Sequence, residues 1–291
     1  MISFADYTAD KVGTPVASLN SSVAKLLITR SPLHAWMAHP RLNPNWKPEP
    51  SKEEFDIGTA AHALLLEGVD KMQEFDPAQY PNQKGGGVAT GWTNKAIREA
   101  RDAARAEGKI PVLVEQASAM RAMVETAKTA FAANDDLKGY TIQGEGGVSE
   151  HTIIWHEGGT YFRARLDRVS TDRKLIVDYK TTDCAEPNVF LRQIINMGYD
   201  IQAAFYLRAL QRPDTKFVFM AQEVEAPYAV SFIGMPPSFV ELGKRKVERA
   251  IALWRECMAS GKWPGYGNRV QWAEPPEWAI AREEEANGVF E

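Results

Sequence analysis

The chain has 291 residues, 44% apolar and 25% charged, with a formal net charge of −4 and a pI near 5.9. That composition suits a globular protein with an ample core and excludes one cloaked in positive charge, so a polyanion partner would have to be met by a local basic cleft. Two cysteines, Cys184 and Cys257, are too few for a four-cysteine zinc or iron–sulfur site and speak for a reducing compartment rather than a disulfide framework. The opening "MISFADYTADKVG" has neither signal-peptide nor transit-peptide character, and no apolar run approaches the ~18 residues of a membrane span, so a cytoplasmic protein without membrane segments is expected.

In chain order, "SLNSSVAKLLITRSPLHAWM" opens with an Asn/Ser cap cluster and places Val23, Leu26 and Leu27 at helical spacing before Pro32 breaks the pattern. A second helix is predicted over "SKEEFDIGTAAHALLLEG", with Ser51 as N-cap, acids in its first turn and Gly68 at its end. "YPNQKGGGVATG" is dense in glycine and turn residues and reads as a mobile loop. "NKAIREARDAARAEG" and "VEQASAMRAMVETAKTAFAAN" follow as two more helices. At about residue 148 the hydrophobic period changes from helical to alternating. "VSEHTIIWH", "TYFRARLDRVS" and "KLIVDYKTT", parted by "EGG" and "TDR", predict an antiparallel meander of three strands. Pro187 to Leu210 reads as helical, "KFVFMAQEVE" and "YAVSFIGM" as two more strands, and Pro237 to Ser260 as an amphipathic helix carrying Val240, Val247, Ile251, Leu253 and Trp254. The tail "WAEPPEWAIAREEEANGVFE" is acidic and proline-bearing and is expected to pack loosely. No internal repeat is present, and the expected class is an α/β core of strands flanked by helices, with a helical N-terminal portion.

The chemistry gathers around the third strand. Alternation along "LIVDYKTT" sends Leu175, Val177 and Tyr179 to one face and Asp178 and Lys180 to the other, at the strand's end. Asp167, closing the alternating "YFRARLD", lies in the neighbouring antiparallel strand. Two carboxylates and a lysine at the mouth of adjacent strands suit a hard divalent cation that keeps several waters. Alone, an Asp-x-Lys tripeptide is better read as a salt bridge on a solvated sheet end. Gln202 and Tyr206 share a helix face four residues apart, as do Gly58 and His62 in "GTAAH". Taken singly, these are a surface amide, a core tyrosine and an interior histidine.

As an ordered set, "GTAAH", Asp167, "VDYK" and "QAAFY" resemble the motif series of the RecB-like branch of the PD-(D/E)XK nucleases. The likeness is fullest to the RecE-like exodeoxyribonucleases of phages and prophages, and it extends through "LLITRSPLHAWM", "IGTAAHALLLEG", "SEHTIIW" and "DYKTT", over roughly residues 18 to 220. It implies a restriction-endonuclease-like core with a central mixed sheet flanked by helices. The chain would be a single nuclease domain over 1–291, with a helical portion at about 1–140, a sheet-bearing catalytic core at about 145–260 and the acidic tail at 262–291. It further implies that Asp167, Asp178 and the main-chain carbonyl of Tyr179 bind Mg²⁺, for which Mn²⁺ can substitute, with His62 completing the shell. Lys180 would hold and activate the attacking water, and Gln202 and Tyr206 would position the DNA backbone or the lysine. Glu150 matches an acidic residue of some relatives. The activity implied is 5′-to-3′ hydrolysis of double-stranded DNA ends, leaving 3′ tails for recombination; the rivals are an endonuclease or single-strand-specific nuclease of the same fold and a non-catalytic DNA-binding or assembly protein. A ring-shaped homo-oligomer and a single-strand annealing protein are the implied partners.

Other signals carry less. Lys95, Arg98, Arg101 and Arg105 recur at helical spacing, but interspersed acids favour a solvated face over a phosphate-tracking stripe. Trp36, Tyr80 and Trp92 serve base stacking or packing equally well. Arg163 and Arg165 alternate onto the Asp167 face as candidate partners for phosphate or carboxylate. "QKGGG" lacks the G-x-x-x-x-G-K-[ST] pattern, which excludes an ATP-driven motor, and the cysteine count excludes the iron–sulfur cluster of some relatives.

Overall fold

Capping chemistry sets several helix starts in the computed structural model, which describes residues 2–48, 53–80 and 91–288. Helix α1 (Phe4–Thr8) begins at Ser3, whose hydroxyl accepts from Asp6 N–H; α2 (Ser21–Thr29) begins at Asn20, whose side chain accepts from Val23 N–H. Pro32 starts the next helix, α3 (Pro32–Ala38), at a first-turn position where a missing N–H costs nothing. Helix α4 (Glu53–His62) runs into a π-helical turn, Ala63–Glu67, and Gly68 closes it in the left-handed conformation at φ 71. Ser51, the expected cap, lies outside the described residues, as do positions 81–90 of the expected loop.

The N-terminal portion holds more than helices. Strand β1 (Met72–Phe75) pairs in parallel with β2 (Ile110–Leu113), around α5 (Lys95–Ala106) and ahead of α6 (Val114–Ala132). Four-residue strands contain too few alternations to register as a period, which is why the sequence shows only the helices.

The main sheet has five strands in chain order: β3 (Gly147–Glu157), β4 (Thr160–Ser170), β5 (Leu175–Thr182), β6 (Lys216–Glu223) and β7 (Val230–Gly234). The first three form the expected antiparallel meander, β5 and β6 run parallel, and β6 and β7 are antiparallel, so the sheet is mixed. A parallel step needs a crossover. Here it is made by α7 (Pro187–Asn196) and α8 (Tyr199–Leu210), the expected single helical stretch being interrupted at Met197 and Gly198. Helix α9 (Pro237–Ser260) has the expected bounds. The tail, expected to be loose, contains α10 (Glu277–Gly288) yet stays exposed, with Trp272 at 89% and Trp278 at 69%. Among the described residues no helix is long and apolar enough to cross a membrane.

Helices cover both faces of the sheet. Leu175, Val177 and Tyr179 join Ala61, Leu65, Met123 and Phe131 beneath α4 and α6. Ile176 joins Phe205, Phe219 and Trp254 beneath α8 and α9. Each of the larger aliphatic and Phe side chains stabilises the fold by about 1.5–3 kcal/mol, so β5 is anchored from both sides. Asp178 shares its parity with Ile176 and is fully buried at the edge of that second layer.

Candidate active site

The site forms where two strands part. The β4–β5 ladder consists of Arg168↔Val177 and Val169↔Ile176; the next pair in that register would be Asp167 and Asp178. There Asp167 Oδ2 accepts from Tyr179 N–H at 3.0 Å, a side chain taking the place of the ladder. Beyond the gap, Leu19 from the N-terminal segment bridges to β4 at Phe162 instead. Because a strand residue's N–H and C=O point to the same side, the Tyr179 carbonyl also opens toward this gap.

Side chains from five elements converge on it. His62, the last residue of α4, sets Nε2 3.1 Å from Asp167 Oδ2 and Nδ1 3.3 Å from Glu150 Oε1. Helix α4 passes close to the end of β5: a Cβ at Gly58 would lie 3.4 Å from Thr181 Oγ1, at contact distance. That closeness is the physical content of the Gly58–His62 spacing. Glu150 sits in β3 with φ 54, left-handed for a non-glycine, where flanking pairs would set it opposite Asp167. Its carboxylate also takes a hydrogen bond from Arg165 Nε. Asp178 Oδ1 faces the Lys180 ammonium, and Asp178 Oδ2 accepts from Gln202 Nε2 at 3.0 Å. Gln202 Nε2 also lies 3.1 Å from the Tyr206 hydroxyl. Of these groups His62, Glu150, Arg165, Asp167, Gln202 and Tyr206 line a cavity of about 250 Å³, together with Phe4, Tyr7, Ser21, Ser22, Lys25, Gly198 and Tyr199.

The two aspartates are driven apart electrostatically. Burial, then the charge of Asp167, pushes Asp178 up to about 7 against the pull of Lys180 and His62. Burial would raise Asp167 too, but the neighbouring His62 and Lys180 hold it below the usual carboxylate range. Burial works against protonating His62, yet Asp167 and Glu150 outweigh it and lift its pKa. Lys180 is likewise raised, burial being overcome by Asp178 and Asp167. One acid up and one down is the signature of a site built for proton or cation chemistry.

A divalent cation suits this donor set. Ligand atoms of His62, Glu150 and Asp167 lie within 4.8 Å of one another. Beside them Asp178 Oδ1, fully buried, faces the Lys180 ammonium. Imidazole, carboxylates and a main-chain carbonyl are ligands that Mg²⁺ or Mn²⁺ accepts.

The structure thus brings His62, Glu150, Arg165, Asp167, Asp178, Tyr179, Lys180, Gln202 and Tyr206 together. Gln202 engages Asp178 rather than the lysine or open solvent. Arg163 is elsewhere: 1% exposed, it pairs with Asp10 at 3.0 Å and donates to the Tyr7 carbonyl at 3.1 Å, so of its two expected partners the carboxylate is the one it meets. On α5, Lys95 faces Glu99, Arg101 faces Asp102, and Arg98 bonds the Trp92 and Thr93 carbonyls, a solvated face as the acids suggested. Trp92 and Tyr80 pack on Phe75. The sequence reading missed Lys25, Tyr199 and the α1 residues at the cavity. Lys25 had a signal, a lone cation at helical spacing in an otherwise apolar stretch. No ion pair or hydrogen bond engages its ammonium among the described residues, and burial, then the nearby Lys180 charge, lowers its pKa.

The sequence profile of a family described as "PDDEXK-like domain of unknown function (DUF3799)" matches residues 22–274. No curated protein matches the chain. Among solved structures, a protein from Eubacterium rectale named as a candidate exonuclease superposes with a TM-score of 0.57 at 13% identity, covering 96% of this chain and 97% of its own. A phage-related exonuclease from Haemophilus somnus 129PT (TM-score 0.30, 13% identity, 50% and 73% covered) and an alkaline exonuclease from Laribacter hongkongensis (0.29, 12%, 72% and 96%) are more distant. At these identities the first likeness establishes the fold alone, and it agrees with the mixed sheet flanked by helices.

Proposed function

We propose, from the premise that this chain belongs to the PDDEXK-like domain family DUF3799, that it is a divalent-metal-dependent deoxyribonuclease working as a single nuclease domain. The observation that carries the reading is the meeting of Asp167, Asp178 and Lys180 at the parting of β4 and β5, with His62 and Glu150 closing the donor set. When bound there, Mg²⁺, or Mn²⁺ in its place, supplies Lewis-acid neutralisation of phosphate charge and stabilisation of the leaving oxygen. The chain's own groups do the rest. Lys180 presents an ammonium to the attacking water and to the phosphate. Gln202 fixes the Asp178 carboxylate and is itself steadied by Tyr206. Lys25 offers the cavity a cation for phosphate, while Arg165 is held by Glu150.

The finer assignment is a 5′-to-3′ exonuclease on double-stranded ends, producing 3′ tails for recombination. It is supported by the motif order shared with RecE-like exonucleases, and the same likeness supports a ring-shaped homo-oligomer and a single-strand annealing partner. The test compares 5′- and 3′-labelled linear duplex, circular duplex and single strands with Mg²⁺ and with EDTA. Release of 5′ label from linear duplex alone, abolished by EDTA, is expected. Cutting of circles or preference for single strands would replace the exonuclease assignment with another nuclease mode, and no metal-dependent cutting of any DNA would overturn the nuclease reading.

A further inference from the structure

The Lys180 ammonium has a second neighbour besides Asp178. It lies over the Tyr199 ring, 5.1 Å from the centroid. Tyr199 is the first residue of α8 and lines the same cavity as His62 and Asp167. Its ring is braced by Phe190 at 6.3 Å and Phe219 at 5.8 Å, both fully buried, so the platform beneath the ammonium is rigid.

Asp178 alone gives the lysine proximity without direction. Its Oδ2 is taken by Gln202, and its Oδ1 meets the ammonium as an ion pair. A pure ion pair leaves a four-carbon side chain free to swing around the carboxylate. An aromatic face is directional, because the ring quadrupole draws a cation along the ring normal, and the attraction grows in a partly desolvated cleft.

We infer that Tyr199 is a positioning residue: its ring face, braced by Phe190 and Phe219, holds the Lys180 ammonium in the orientation the reaction uses. The inference rests on Lys180 being the catalytic lysine. Tyr199 needs its ring here, not its hydroxyl.

The experiment places at position 199 leucine, phenylalanine, and phenylalanines bearing one, two or three ring fluorines, which keep the shape while emptying the ring face of negative charge. In single-turnover cleavage of linear duplex with Mg²⁺, Tyr199→Leu is expected to lose about tenfold in rate, Tyr199→Phe to restore most of it, and successive fluorines to remove it stepwise, with DNA affinity in Ca²⁺ little changed. A second reading needs neither metal nor activity. In urea unfolding with EDTA, fluorination lowers the folding constant stepwise when residue 180 is lysine and has no effect in the Lys180→Met background. A flat fluorine series in both assays, or equal slopes in the two backgrounds, overturns the inference, since a merely structural ring would respond to shape and not to charge. Failure of the unsubstituted protein to cut any DNA overturns the nuclease reading instead.

Discussion

Strand β4 carries two charged clusters a few residues apart, built on opposite principles. Around Arg163, the Asp10 carboxylate takes the guanidinium, the Ser18 hydroxyl and the Ser18 N–H, while Arg163 also donates to the Ser18 carbonyl. His39 completes the cluster as a neutral imidazole: Nε2–H donates to the Ser18 carbonyl at 3.0 Å and Nδ1 accepts from Arg41 N–H at 3.2 Å. The Asp10 carboxylate meets Arg163 at 3.0 Å and Arg41 at 3.8 Å, and among the described residues none of the cluster's buried side-chain atoms lacks a partner. Around Asp167, by contrast, a second buried acid stands alongside, paired with Lys180, and Asp167 itself opens to a cavity. A closed cluster of the first kind ties the N-terminal segment to the sheet; an open one of the second kind keeps its electrostatic deficit for a ligand. Burial and charge are common to both. What separates structure from function is whether the partners are all inside the protein.

The sharpest way to break this comparison is to remove one charge from each cluster. Asp178→Ala should lower DNA cleavage by about 10³-fold or more while leaving the melting temperature unchanged or raised, because the lost carboxylate was held against burial and a like charge. Cleavage rates beside a thermal melt decide it; a destabilised variant that still cuts would mean the two clusters do the same job. Arg163→Met should do the reverse, costing about 3–5 kcal/mol of stability in denaturant titration by stranding buried Asp10, with the cleavage rate per folded molecule retained.

Acid sharpens the contrast further. Burial lowers His39 to about 4, from an ordinary 6.5, so the unfolded chain takes up that proton first and stability is lost as pH falls from 6.5 toward 4. Asp178, lifted to about 7 from an ordinary 3.8, works the other way: the folded protein protonates first, and stability is gained over the same interval. In metal-free protein the two slopes oppose. Asp178→Asn removes one of them, so that variant should lose stability more steeply than the parent between pH 7 and 5, by about 1 kcal/mol per pH unit. Urea unfolding in EDTA at pH 7, 6 and 5 measures it, and parallel slopes would show the opposition to be absent. The smallest expected effect concerns Lys25. Because its ammonium meets no acid among the described residues, Lys25→Met should reduce the log–log salt slope of DNA binding in Ca²⁺ by about 1, for one phosphate contact fewer. An unchanged slope would return Lys25 to packing.

Local chemistry in the sequence was enough for every strand of the main sheet, the bounds of α9, and the sidedness of β5. Alternation and capping act between residues a few positions apart, so Asp178 and Lys180 could be assigned a common face and Gln202 and Tyr206 a common helix side without a structure. The ordered motifs added the fold class, which the family match and the mixed sheet bear out. Beyond that range the tertiary structure decided. His62 meets Glu150, Arg163 meets Asp10, β1 meets β2, and Lys180 meets the face of Tyr199, each across a stretch of chain in which no periodicity relates the two. Residues of one type, two apart on one strand face, could not be told apart by pattern: the N-terminal segment reaches both, but Arg163 meets Asp10 in the interior and Arg165 meets Glu150 at the site. Period reports which way a side chain points; only packing determines what it finds there.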